Sequence, residues 1–214
     1  MRAVLPQAFK FFAMLLDASD SQLILIDYQA RLMPAIHEGE AVLARAQQLA
    51  QIARLLEVPV WGTEQNPARL GEMPAALRSQ CRRVLSKMAF SAVADGLLDV
   101  LRPAQRAPQG NARSLPRHLR RPEAAPAAQR ETLVLAGCEA HVCVLQTALE
   151  LIEEECDVWV VTDACGSRHE RNRDAAFDRL AAAGAELVTT EMVAFEWLRD
   201  AAHPQFKAVQ ALIR

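Results

Sequence analysis

Several things that would classify the chain are missing. Aromatic residues make up only 5% of the 214 positions. Lys plus Arg (24) nearly balance Asp plus Glu (26), leaving a net charge of -2. No excess of one sign therefore points to nucleic acid or to an acidic partner. No apolar run approaches the roughly 20 residues needed to cross a bilayer. The opening MRAVLPQAFKFFAML carries Arg2 and Lys10 but no unbroken apolar stretch and no clear cleavage site, so a secretory leader is not expected. The first apolar run leads into DYQARLM, not into a Gly-rich loop, which argues against a nucleotide-binding Rossmann domain. The five cysteines (Cys81, Cys138, Cys143, Cys156 and Cys165) are odd in number and irregular in spacing. Reduced thiols in a cytoplasm fit that pattern better than a disulfide framework.

What is present suffices for one domain with a substantial core, since 51% of residues are hydrophobic. QLILID (22–27), VPVWGTEQ (58–65), RRVLSK (82–87), ETLVLAG (131–137), CDVWVVTDAC (156–165) and AELVTTE (185–191) read as strands. Helical spacing marks 38–57, 95–101, 141–155, 171–184 and the two C-terminal stretches EMVAFEWLRDA and HPQFKAVQALIR. Gly184 is a natural helix stop. Strands alternating with helices predict an α/β fold: three layers, a mostly parallel six-stranded sheet, helices on both faces. Met14 precedes the first strand closely, so residues 1–13 read as an N-terminal extension to a domain spanning 14–214. The stretch at about 103–130 interrupts the rhythm with Pro103, Pro108, Pro116, Pro122 and Pro126 among several arginines. It is too rich in proline for a long helix and too polar for the core, and it reads as an inserted surface loop. No aromatic side chain interleaves with those arginines, which disfavours a nucleic-acid arm.

Ligands of an open parallel sheet sit beyond the carboxyl ends of its strands. The polar residues there are Asp27, Glu64 and Gln65, Lys87, Cys143 and Asp163. Cys143 falls in the first turn of a helix, where unpaired N–H groups and the helix dipole favour an anion, so its thiol pKa is expected to fall. A thiolate attacks carbonyl carbon, and the same N–H groups can hold an oxyanion. Asp27 can move the proton and Lys87 can keep that carboxylate ionised. Singly, each residue has a plainer reading. A lone buried cysteine is ordinarily inert core, and a lysine after a strand is ordinarily solvated.

The combination is more specific. LILIDYQARLMPAI, VPVWGTEQNPARLG, SKMAFSA, LAGCEAHVCVLQTALEL and VVTDACGSRHERNRDAAFDRL follow in the order found in the isochorismatase-like cysteine hydrolases, which this sequence resembles from about Met14 to Arg214 outside the inserted stretch. The resemblance implies an Asp27–Lys87–Cys143 triad and a cis peptide at Cys138–Glu139. It also implies an oxyanion hole from the N–H groups of Glu139 and Cys143. Cys138 replaces the usual Ile or Val of the nucleophile motif. Gln65, Phe90 and His141 are candidates to line the pocket. His141 could be a ligand, a base or a structural hydrogen-bonder, and the last is favoured because no second histidine lies at metal-ligand spacing. Nicotinamidases in the same family carry an acid-and-histidine metal site after the second strand. TEQNPARLGEMP has no histidine there, so the metal-free subgroup is expected, with no cofactor and no catalytic metal. The activity implied is hydrolysis of a small amide, carbamoyl compound or vinyl ether. The second reading is a catalytically silent scaffold of this fold serving as an interaction module. A homo-oligomer is expected from the apolar C-terminal helices, with neither nucleic acid nor membrane as partner.

Overall fold

The computed structural model describes residues 15–102 and 130–214. The expected extension at 1–13 and all but the end of the inserted stretch lie outside the described residues. The chain runs β1 (Ser21–Ile26), α1 (Gly39–Leu55), β2 (Val60–Gln65), α2 (Pro67–Leu70), α3 (Ala75–Arg78), β3 (Arg83–Lys87) and α4 (Leu97–Leu101). It continues with β4 (Thr132–Gly137), α5 (Leu145–Glu153), β5 (Asp157–Val161), α6 (Glu170–Ala182), β6 (Glu186–Val188), α7 (Thr190–Leu198) and α8 (Phe206–Ile213). The six strands form one all-parallel sheet in the order β3-β2-β1-β4-β5-β6. No helix among the described residues is long and apolar enough to cross a membrane.

Alternation along the strands builds the three layers. Leu23 and Leu25 of β1, with Val134 and Ala136 of β4, face a core shared with Leu49, Ala50, Val193, Trp197 and Val209. Ile24, Ile26, Leu133 and Leu135 face the other way, against Leu97, Ala148, Leu151 and Leu180. Both faces are covered, so β1 and β4 are buried from end to end.

Three boundaries differ from the sequence expectation. The 156–165 run does not form one strand. It pairs only to Val161 and then turns through Thr162–Ala164, because Asp163 Oδ1 is drawn to Thr190 N (2.8 Å) and Thr190 Oγ1 (2.9 Å). β6 ends at Val188, because Thr189 caps α7 by accepting the Met192 N–H. The 141–155 helix opens as a π turn over Ala140–Val144 before α5 begins. Gly184 does stop α6, with φ at +98°.

Candidate active site

The sheet changes direction of winding between β1 and β4, and ligands of an open parallel sheet sit beyond the carboxyl ends of the strands at such a switch point. Asp27, the first residue beyond β1, has φ +54° and a fully buried side chain. Its Oδ1 accepts from Thr63 Oγ1 at 2.7 Å. Its Oδ2 lies 2.7 Å from Lys87 Nζ, and neither side chain of the pair is exposed to solvent. That contact is an ion pair, not an aligned hydrogen bond, so Oδ2 keeps a lone-pair direction unfilled.

Lys87 ends β3, and its ammonium is saturated. It donates to Gln65 Oε1 (2.6 Å), Phe90 O (3.0 Å) and Ala89 O (3.3 Å) beside the ion pair. Gln65 turns toward it because strand residues alternate. Thr63 and Gln65 share the face of Asp27 and Lys87, while Glu64 points away. There Glu64 accepts from Met73 N (2.8 Å) and Arg78 Nη1 (2.6 Å).

Cys143 completes the group. Its Sγ lies 4.0 Å from Gln65 Oε1, and the residue is only 6% exposed. The expected fall in its pKa is overturned. Burial first, and then the neighbouring Asp27 carboxylate, push the thiol up to about 12, against the opposing pull of Lys87. A helix start lowers a thiol pKa when the sulfur stays hydrated. This sulfur sits below the surface, beside a carboxylate.

The turn before it is tightly built. The Cys138–Glu139 peptide is cis. Gly137 pairs with Ile26 across the sheet so closely that a Cβ would stand 2.4 Å from Ile26 O. The Glu139 carboxylate accepts from Arg168 N (2.9 Å) and Arg168 Nε (3.0 Å). Among the described residues, no group accepts the Glu139 N–H. His141 turns to the α6 side, with Nδ1 2.9 Å from Ser167 Oγ and Nε2 3.5 Å from Asn172 Nδ2. Both ring nitrogens face hydrogen-bonding side chains. Phe90 is 54% exposed, and it is its carbonyl that meets Lys87.

Two participants escaped the sequence reading. Gln29 is fully buried and clamps the end of β2, giving Nε2–H to Gln65 O (3.0 Å) and accepting the Gln65 N–H (2.8 Å). Asp95 holds the loop after Lys87. A buried glutamine three residues past a strand carries no spacing signal that would have marked it. Among the described residues, no cluster of three His, Cys, Asp or Glu side chains is placed to hold a metal ion.

A family model described as the isochorismatase domain matches residues 120–192. Isochorismatase domain-containing protein 2A of Mus musculus is 35% identical over 195 residues, which cover 91% of this chain and 82% of that protein. The chain belongs to the isochorismatase family. Among solved structures, the MAR1 ribonuclease of Caenorhabditis elegans superposes with a TM-score of 0.78 at 29% identity, over 94% of this chain and 92% of that one. YcaC of Pseudomonas aeruginosa, solved with hexane-2,5-diol and covalent acrylamide, gives 0.77 at 25% identity, over 94% and 93%. The Escherichia coli YcaC gene product, described as an octameric hydrolase of unknown specificity, gives 0.74 at 27% identity, over 92% and 87%.

Proposed function

We propose that this isochorismatase-family protein is a cysteine hydrolase acting on a small amide or carbamoyl compound, with vinyl ethers as the alternative substrate class. The observation that carries the reading is the buried Asp27–Lys87 pair set beside Cys143, with Gln65 Oε1 in reach of both ammonium and sulfur.

A neutral thiol suits attack coupled to proton transfer. Sulfur forms its bond to the substrate carbonyl carbon while its proton passes to Asp27, and the carbonyl π electrons move onto oxygen. The N–H groups of Glu139 and Cys143 receive that oxyanion. When the tetrahedral intermediate collapses, the leaving group takes the proton back from Asp27 and a thioester remains. Water, giving a proton to Asp27, then attacks the thioester carbonyl, and the second tetrahedral intermediate collapses by breaking the C–S bond, the departing sulfur taking that proton back from Asp27 as the acid product is freed. Lys87 keeps Asp27 in place throughout and, on this reading, does not itself transfer a proton.

Nothing in this sequence of steps calls for a metal. Glu64 is already committed to Arg78 and Met73, so the end of β2 does not support a nicotinamidase-type site. The ribonuclease name belongs to the C. elegans protein. Here the cation nearest the thiol is fully buried and saturated, a poor partner for a phosphodiester. Five unpaired thiols suit a reducing cytoplasm. We also propose a homo-oligomer, in keeping with the octameric E. coli neighbour.

The test is a panel of amides, carbamoyl compounds, vinyl ethers and an RNA oligonucleotide, run with wild type and Cys143→Ala, before and after EDTA dialysis. Turnover that vanishes in Cys143→Ala and survives EDTA is expected, as is acrylamide labelling at Cys143 by peptide mapping. Turnover that is lost to EDTA and restored by zinc would overturn the metal-free reading. A folded protein with no turnover and an unlabelled Cys143 would leave the silent scaffold.

A further inference from the structure

Asp95 stands outside the triad, on the loop between β3 and α4, and its side chain is exposed. A single carboxylate oxygen, Oδ2, accepts two backbone N–H groups, from Met88 at 2.7 Å and from Ala89 at 2.9 Å. Both peptides are trans, so each N–H fixes a carbonyl pointing the opposite way. The Met88 N–H belongs to the peptide of Lys87 O, which accepts from Asn66 N at 2.8 Å. The Ala89 N–H belongs to the peptide of Met88 O, which accepts from Gln65 Nε2 at 2.8 Å. One oxygen therefore aims two carbonyls at the end of β2.

The second of these carbonyls decides how the Gln65 amide is oriented. With Nε2 held on Met88 O, Oε1 must face Lys87 Nζ at 2.6 Å and Cys143 Sγ at 4.0 Å. The next carbonyls of the same loop, Ala89 O and Phe90 O, take the remaining ammonium protons. We propose that Asp95 is the positioning residue that locks the Gln65 amide and, through it and the loop carbonyls, fixes Lys87 beneath Cys143. The inference rests on the nucleophile reading of Cys143 but acts through a residue that touches none of the reacting atoms. Asp95 stays ionised over the working range, because the Ala89 and Met88 N–H groups hold its carboxyl below the usual value.

The experiment compares wild type with Asp95→Ala, Asp95→Asn and Asp95→Glu. It reads the pH profile of iodoacetamide labelling at Cys143 and the NMR exchange rate of the Gln65 side-chain amide. Lys87 holds the thiol pKa down, so Asp95→Ala should move the labelling profile to higher pH and slow labelling at fixed pH by about tenfold, the effect of one pKa unit. Gln65 amide exchange should accelerate in the same variant. Asp95→Asn should track wild type, since one amide oxygen can still accept both N–H groups. Asp95→Glu keeps the charge but displaces the oxygen, and should behave like Asp95→Ala. That variant carries the test if Asp95→Ala fails to fold. Folded Ala and Glu variants that match wild type in both readouts would overturn the proposal. So would an Asn variant that behaves like Ala while Glu behaves like wild type. A wild-type Cys143 that resists labelling would sink the nucleophile reading instead, and the Gln65 amide would still report on Asp95.

Discussion

Cys143 shares its corner of the protein with a carboxylate, an ammonium and an amide oxygen, and the balance among them leaves the sulfur protonated. Burial and Asp27 outweigh Lys87, putting the thiol at about 12. For an acid with a raised pKa, the reactive anion is scarce at neutrality and grows as pH rises toward that value. Acrylamide labelling should therefore climb close to tenfold per pH unit from 7 to roughly 10, without a plateau. A plateau near neutrality would show an activated thiolate and contradict the raised thiol pKa. Asp27 and Asp163 were legible in the sequence because each follows an apolar run directly or within one residue, whereas Cys143 lies a turn beyond β4 and was marked by its place at a helix start. The state of the thiol was not. Position along a helix can be read from spacing, but depth below the surface and the charges met there come from residues remote in sequence, here Asp27, Gln65 and Lys87. The Asp27–Lys87 contact was expected from the chemistry of the strand ends and from the family resemblance, but not from spacing, since no local pattern pairs residues on β1 and β3.

At the level of elements, the site depends on how closely two strands approach. Gly137 and Ile26 are register partners, and a Cβ on Gly137 would lie 2.4 Å from Ile26 O and 2.6 Å from Ile26 Cβ. Neither neighbour can yield without moving β1, and Asp27 is the next residue. Gly137→Ala should destabilise the protein by about 1–3 kcal/mol, as overpacking does, and should also slow Cys143 labelling. Urea unfolding with parallel labelling checks both, and unchanged values in each would show that the strands have room to part. Element types were readable wherever apolar periodicity ran long, as in α1 and β4. Boundaries failed where the deciding bond came from elsewhere. β5 stops early because Asp163 reaches Thr190, a partner invisible to any window of sequence around either residue. The π turn at Ala140–Val144 looked like ordinary helix because its composition is ordinary.

For the whole molecule, the outer surface near α7 carries what the core does not need. Met192 and Phe195 are 46% and 42% exposed, beside Leu15 at 58%. Glu196 and Arg199 flank them but are occupied in fastening the chain at Leu15 and Leu16. Isolated exposed apolar residues are common, but three sharing one groove suit burial against another copy. Light scattering at micromolar concentration should give a mass of at least a dimer, and Phe195→Glu should lower it. A monomeric wild type would contradict the homo-oligomer.

The central place of β1 has a further consequence, for the time before the fold is complete. β1 leaves the ribosome before both its neighbours, and once β2 has followed it still waits for β4, which lies beyond β3, α4 and the whole inserted stretch. Translation proceeds at roughly 5–20 residues per second, so that wait lasts several seconds or longer. Throughout it, the LILI of β1 shows one flank of unsatisfied N–H and C=O groups, with the apolar, uncharged character that invites a stray strand. The strand that anchors the Asp27 carboxylate is thus also the point where a half-made chain is most open to pairing with the wrong neighbour.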